Sequence, residues 1–258
     1  MELKGKIVVI TGGASGLGKA TAQFMVKEKQ ARVALLDLNE DAGQSLVEEL
    51  GQDNALFCKT DVTSEASIDS AIAEIIARFG AIHIDINAAG IPQPCKILDR
   101  EGKASGLARY ANVINVNLNG VFNVMAKCVE KMALNDTDAS GERGVVINVS
   151  SGAAFEGQIG QSGYASSKAG VNGINMPAAR ELGPLGIRVN SIAPGLFGTP
   201  LVMSLGEKVV NSLIEQVEAP KRMGDVNEFA HACAFLVENG YMNGRCLRLD
   251  AASVMQAK

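Results

Sequence analysis

The chain has 258 residues, 47% of them hydrophobic and 20% charged, and a formal net charge of −4. Such a composition supplies the core of one large α/β domain or two small ones, and without a dense Lys/Arg tract it gives no electrostatic reason to expect nucleic acid. Five scattered cysteines with no C-x-x-C pair, and only two histidines, His83 and His231, argue against a disulfide framework, a metal site or a histidine-based triad.

MELKGKIVVI enters a strand at once and leaves no room for a signal or transit peptide, and no apolar run is long enough to span a bilayer. The expectation is a cytoplasmic protein outside the membrane, with the mitochondrial matrix open for a eukaryotic source. Short β-branched runs then alternate with amphipathic stretches. Strands are predicted at 6–11, 32–37, 55–60, 81–87, 144–150, 187–193 and 245–250, and helices at roughly 16–29, 40–50, 64–78, 107–134, 162–182 and 226–238. The strands are near-continuously apolar, as parallel strands covered on both faces must be. Asp225 and Glu228 predict a capping box at the last helix. Pro177 predicts a kink in the helix at 162–182, with Gly173 relieving the ring clash. The alternation argues for an α/β fold, one doubly wound parallel sheet with helices on both faces, running over 1–258 as a single domain. Segments 92–106 and 194–220 are longer than ordinary connections, and such loops at strand ends are where these folds place substrates.

TGGASGLG (11–18) follows the first strand and opens the first helix, the setting a dinucleotide fingerprint requires. Gly12 allows the turn, Gly16 lets backbone approach a pyrophosphate, and Gly18 lets helix and strand pack. Ser15 and Leu17 stand with them at a helix N-terminus whose N–H groups and dipole favour phosphate. A glycine-rich turn without a ligand is the plain alternative. Asp37 ends the second strand, nineteen residues beyond Gly18, where a carboxylate accepts from both ribose hydroxyls and repels a 2′-phosphate. No arginine follows it in LLDLNED, so NAD is favoured over its phosphorylated form; a solvated turn aspartate is the alternative. Tyr164 and Lys168, four apart in GYASSKAG, share one helical face. An ammonium beside a phenol favours phenolate and lowers a pKa that is ordinarily about 10, making tyrosine a usable acid and base.

TGGASGLG, NAAG (87–90), NLNG (117–120), Ser151, Tyr164-x-x-x-Lys168 and APG (193–195) occur in one order over essentially the whole chain. Together they resemble the short-chain dehydrogenase/reductase family. The resemblance implies a Rossmann-type domain, a nicotinamide cofactor, hydride transfer at an alcohol or ketone, and a homotetramer. It divides the chain into a cofactor-binding part at about 1–150 and a catalytic and substrate-loop part at about 151–258. It implies that Tyr164 is the general acid/base, that Lys168 lowers its pKa and binds the nicotinamide ribose, that Ser151 holds the substrate oxygen, and that Asn117 places a water in the proton relay. It implies adenine contacts at Asp61 and Val62, a cofactor wall at Asn87, Ala89 and Gly90, and a carboxamide contact at Pro194, Gly195 and Thr199. Ser150 or Ser151 as a mere cap, and Asn117 as a polar residue on a helical face, are the bland readings.

A narrower likeness in 144–164, 192–201 and the length of 92–112 points to family members that oxidise (S)-3-hydroxyacyl-CoA to 3-ketoacyl-CoA in fatty-acid or branched-chain amino-acid degradation. On that likeness Phe155, Gln158, Gln161, Leu201 and Leu205 join Ser151 as substrate contacts. Alternatives are a hydroxysteroid or other secondary-alcohol dehydrogenase, a 3-oxoacyl-carrier-protein reductase, which Asp37 disfavours, and, from another class, an NAD-binding interaction subunit. The chain departs from the family pattern at Gln30, where a helix-ending glycine is usual, at His83 in place of a frequent aspartate, at Asp85 in an apolar position, and at Ala88 and Ala251.

Overall fold

In the computed structural model, which describes residues 1–204 and 206–257 and only the backbone of Leu201, the β-branched runs form one seven-stranded sheet. The strands are β1 (Ile7–Thr11), β2 (Arg32–Asp37), β3 (Ala55–Lys59), β4 (Ile84–Asn87), β5 (Gly144–Val149), β6 (Ile187–Pro194) and β7 (Cys246–Leu249). They lie in the order β3-β2-β1-β4-β5-β6-β7, every pair parallel. The order reverses between β1 and β4, and that switch point opens a crevice at the carboxyl ends of the strands.

Strand alternation sorts the core into two layers. Val8, Ile10, Val33 and Leu35 face α1 (Gly16–Lys27), α2 (Glu40–Leu50) and the late helix at Val226–Glu238. Ile7, Val9, Ala34 and Leu36 face α3 (Glu65–Phe79) and the helices that follow β4 and β5. The stretch expected as one helix over 107–134 is instead α4 (Leu107–Ile114), a π turn (Asn115–Asn119) and α5 (Gly120–Met132). A single wider turn keeps the helical period on either side and shifts only its phase, so the apolar content of the stretch does not betray it. α6 (Ser162–Leu182) runs through Pro177 without a break. Within 194–220, expected as loop, Thr199 caps α7 (Pro200–Met203), its hydroxyl accepting the Val202 N–H at 3.4 Å, and α8 (Glu207–Ile214) follows. The predicted capping box opens α9 (Val226–Glu238).

Two departures from the family pattern have a physical account. Gln30 takes the left-handed conformation of the absent glycine, φ +54°, and its carbonyl accepts the Gly5 N–H at 2.9 Å. His83 does the work of an aspartate acceptor: its Nδ1 takes the Ile7 N–H at 3.2 Å. Burial, reinforced by Lys6 and Arg32, pulls the imidazole down to about 4, which keeps that nitrogen free of a proton at neutral pH.

Because a side chain in the left-handed region is strained and a glycine is not, Gln30→Gly is expected to stabilise the fold by about 0.5–1 kcal/mol, the gain in strain being partly offset by the freer unfolded chain. An unchanged or lowered urea midpoint would show that Gln30 is not strained.

Candidate active site

The phosphate loop is shaped by what its glycines lack. Gly12 sits at φ +64°, and a Cβ there would come within 3.0 Å of the Ala89 backbone. A Cβ on Gly18 would run into the Gly12 carbonyl oxygen. Ser15 makes no side-chain cap and the first turn of α1 holds no acidic residue, so its free N–H groups and positive dipole end are left for an outside anion. Asp37 is pinned at the end of β2: one carboxylate oxygen accepts the Ala14 N–H at 3.1 Å, the other the Asn39 N–H at 3.0 Å. A carboxylate has roughly four lone-pair sites, so acceptor capacity remains toward the crevice. Asp61 is held by the N–H and hydroxyl of Thr63 at 2.9 and 2.7 Å.

At the other end, β5 hands over to two serines with different jobs. Ser150 donates its hydroxyl to the Lys168 carbonyl at 3.1 Å, while Lys168 Nζ donates to the Val149 carbonyl at 2.7 Å. The strand end and α6 are thus tied in both directions. Ser151 accepts the Ala153 N–H at 3.2 Å and shares a hydrogen bond with Tyr164. Lys168 is only 3% exposed, and burial lowers its ammonium to about 8. Its Nζ stands 5.8 Å from the Tyr164 ring centroid. Burial holds Tyr164 above its ordinary value, with the Ser151 hydrogen bond opposing it.

Asn117 lies buried in the π turn, where its amide accepts the Ile91 N–H at 2.8 Å and donates to the Ile91 carbonyl at 3.0 Å and to Ser167 Oγ at 3.3 Å. A Cβ on Gly90 would fall 3.3 Å from Asn117 Oδ1 and 3.5 Å from Lys168 Nζ, so the three groups are neighbours.

The crevice holds about 510 Å³ and is lined by Gly12, Ser15, Gly16, Leu17, Gly18, Asp37, Asp61, Val62, Ala89, Gly90, Ser151, Tyr164, Lys168, Pro194, Gly195 and Thr199. Five sequence candidates are not on this lining. Asn87 turns its amide into the sheet, and Asn117 stands behind Ile91. Phe155 is half-exposed outside, and Gln158 and Gln161 bond each other, Gln161 Nε2 donating to Gln158 Oε1 at 3.2 Å. Leu205 and the side chain of Leu201 lie outside the described residues. Sequence reasoning missed Leu38, Ala88, Ile91, Pro92, Val116, Phe197 and Val202 on the lining; their one signal is adjacency to the motifs.

The short chain dehydrogenase family model matches residues 6–210. The chain is 46% identical over 256 residues to human 3-hydroxyacyl-CoA dehydrogenase type-2, covering 99% of this chain and 97% of that protein. A crystal structure of 3-hydroxyacyl-CoA dehydrogenase type-2 from Mycobacterium avium aligns with a TM-score of 0.93 at 37% identity, covering 100% of both chains. A 7α-hydroxysteroid dehydrogenase in complex with NADH and 7-oxo glycochenodeoxycholic acid aligns with a TM-score of 0.88 at 27% identity, covering 100% of this chain and 97% of that one.

Behind the Ala88–Gly90 wall, Asp85 is fully buried, and its partner is Asn87, which donates to it at 2.6 Å and to Asn148 at 3.1 Å. Burial pushes the Asp85 carboxyl up to about 7, against hydrogen bonds from Asn87 and Cys128. Since the unfolded chain loses this proton near pH 4 and the folded chain only near 7, the contribution of Asp85 to stability falls as pH rises between those values and levels off above them. Asp85→Asn removes the titration, so its stability relative to wild type is expected to climb over about pH 4 to 7. A pH-independent difference in melting temperature would show that the carboxyl is not so perturbed.

Proposed function

The chain belongs to the short-chain dehydrogenase family and is an oxidoreductase, and from that premise we propose that it oxidises (S)-3-hydroxyacyl-CoA to 3-ketoacyl-CoA reversibly, with NAD. The observation that carries the reading is 46% identity over nearly the full length to human 3-hydroxyacyl-CoA dehydrogenase type-2, joined to a crevice in which Ser151, Tyr164 and Lys168 meet the glycine loop. The crevice suits a dinucleotide: its cradle admits no Cβ at Gly12 or Gly18, its helix start is uncapped, and Asp37 is fixed with acceptor sites to spare. Bound there, the nicotinamide gives or takes up the hydride.

The rest of the chemistry falls to side chains. The N–H groups at Ser15, Gly16 and Leu17 hold the pyrophosphate. Asp37 takes the ribose hydroxyls and turns away a 2′-phosphate. Asp61 and Val62 flank the adenine; Ala89 and Gly90, backed by Asn87, wall the ribose; Pro194, Gly195 and Thr199 hold the nicotinamide end. Tyr164 receives the alcohol proton on oxidation and returns it on reduction, while Ser151 donates to the same oxygen as alkoxide charge develops. Lys168 holds the ribose and stabilises the phenolate, and Asn117, beside it, carries the relay onward. Phe155, Gln158, Gln161, Leu201 and Leu205 are kept for the thioester and acyl end. The cofactor is thus held mainly by 1–150 and the substrate by 151–258, with Pro194, Gly195 and Thr199 serving the cofactor from the second part. The homotetramer belongs to the same reading, supported by exposed Phe122 on α5 and by Phe235 and Tyr241 near the open edge at β7. The cytoplasmic placement belongs to this reading too; no helix among the described residues is long and apolar enough to cross a membrane.

Acetoacetyl-CoA is expected to drive NADH oxidation far better than a steroid ketone, the second reading that the 7α-hydroxysteroid dehydrogenase likeness favours. Failure with every short acyl-CoA despite tight NADH binding overturns the substrate assignment. Tyr164→Phe is expected to cost at least about a thousandfold in turnover with NADH affinity within a few-fold, whereas Lys168→Ala damages both. Asp37→Ala with Leu38→Arg moves preference toward the 2′-phosphorylated cofactor; an unchanged ratio would count against the role of Asp37.

A further inference from the structure

The loop after Ser151, residues 152–161, is held between two segments remote in sequence. On one side the Cys95 N–H donates to the Gly160 carbonyl at 2.6 Å, and the Ser162 hydroxyl donates to the Cys95 carbonyl at 2.7 Å. On the other lies the C-terminal segment 253–257. The Ile159 N–H donates to the Ala257 carbonyl at 3.1 Å, Gln158 Nε2 donates to the Gln256 carbonyl at 3.1 Å, and Met255 Sδ lies 4.0 Å from where a Cβ on Gly152 would stand. The chain reaches that position by turning back at Ala251 and Ala252, both left-handed at φ +50° and +55°.

Arg248 of β7 joins these pieces. Its guanidinium forks onto Glu156 at 2.8 and 3.1 Å, bonds Asp250 at 2.6 Å, donates to the Ser253 carbonyl at 3.4 Å, and stacks 5.0 Å from the Phe155 ring centroid. Asp250 in turn abuts the cofactor loop, since a Cβ on Gly195 would come 2.8 Å from its Cα. The Ala251 carbonyl accepts the N–H groups of Glu218 and Ala219, each at 3.3 Å, beyond α8. A lone exposed ion pair contributes little, but a bidentate arginine with a second carboxylate and a stacked ring is the networked exception. Glu156 is accordingly held below the usual carboxylate range by Arg248.

We propose that Arg248 is the positioning residue of the substrate site: through Glu156 and Ser253 it clamps 152–161 against 253–257, which makes the C-terminal segment a wall of that site. The clamp acts on the substrate through the loop that carries Phe155, Gln158 and Gln161, and does not touch the reacting atoms. The inference rests on the dehydrogenase reading above.

Arg248→Ala and Glu156→Ala are each expected to raise the KM for acetoacetyl-CoA about tenfold, with kcat falling much less and NADH affinity unmoved. The double variant is expected to be no worse than either single one, and Arg248→Lys, which keeps charge without the fork, to recover part of the loss. A chain ending at Ala252 should reproduce the KM rise. Hydrogen exchange in the NADH-bound protein, which needs no substrate, is expected to quicken in 152–161 and 253–257 together in both single variants. An unmoved KM in well-folded single variants, additive effects, or quickening in one segment alone overturns the clamp. If the wild type reduces no acyl-CoA but another ketone, the acyl-CoA assignment fails by itself, and KM for that ketone together with hydrogen exchange still decides the clamp.

Discussion

A buried ammonium resting on a strand-end carbonyl is the constraint from which the rest of the site follows. Lys168 Nζ is removed from water and meets the Val149 carbonyl at 2.7 Å, a single short bond that only partly offsets what burial costs the charge. The return bond from Ser150 to the backbone of Lys168 fixes α6 on the end of β5. Ser151 and Tyr164 are then side by side because the elements bearing them have no freedom to slide. Gly90 has no side chain where one would crowd Asn117 and approach the ammonium. A reaction that depends on fractions of an ångström is served by such over-determined geometry.

The seven strands and their helices were legible because buried parallel strands and amphipathic helices each leave a period in the chain. The glycine loop, Asp37, Ser151, Tyr164 and Lys168 were legible because the chemistry demands those residue types at those intervals. What escaped did so for physical reasons. α7 and α8 hide behind proline and glycine punctuation, and the π turn behind a helical period that it leaves intact on either side. Ile91, Val116 and Phe197 line the crevice as ordinary apolar residues that no pattern distinguishes. Asn87 sits in a cofactor motif yet spends its amide on Asp85 and Asn148, a fact settled by neighbours and not by spacing. Gln30 and His83 show the converse: the position requires a backbone angle or an acceptor atom, and an unexpected residue supplies it.

The two ends of the crevice are built on different plans. The cofactor end is local, with loops that follow single strands and carry short motifs. The substrate end, in the proposed reading, is assembled from the 92–106 segment, the loop after Ser151, the region around α7 and α8, and the C-terminal segment, none of which carries a motif of its own. That difference is why family membership is read from sequence so much more readily than substrate, and why one fold serves many alcohols.

The π turn at Asn115–Asn119 has a further consequence of phase. One additional residue in a helix rotates everything before it by about 100° relative to everything after it. α4 packs on α6, whereas α5 packs on α3 and the sheet, two directions that one regular helix would not serve with the same side chains. Within the turn, Leu118 seats against Gly170 of α6, and Asn117 points back to Ile91. Regularising the turn without removing a residue would swing one half by that angle and cost it its partners. The turn works as a rotary offset, letting one continuous rod address α6 with its first half and α3 and the sheet with its second.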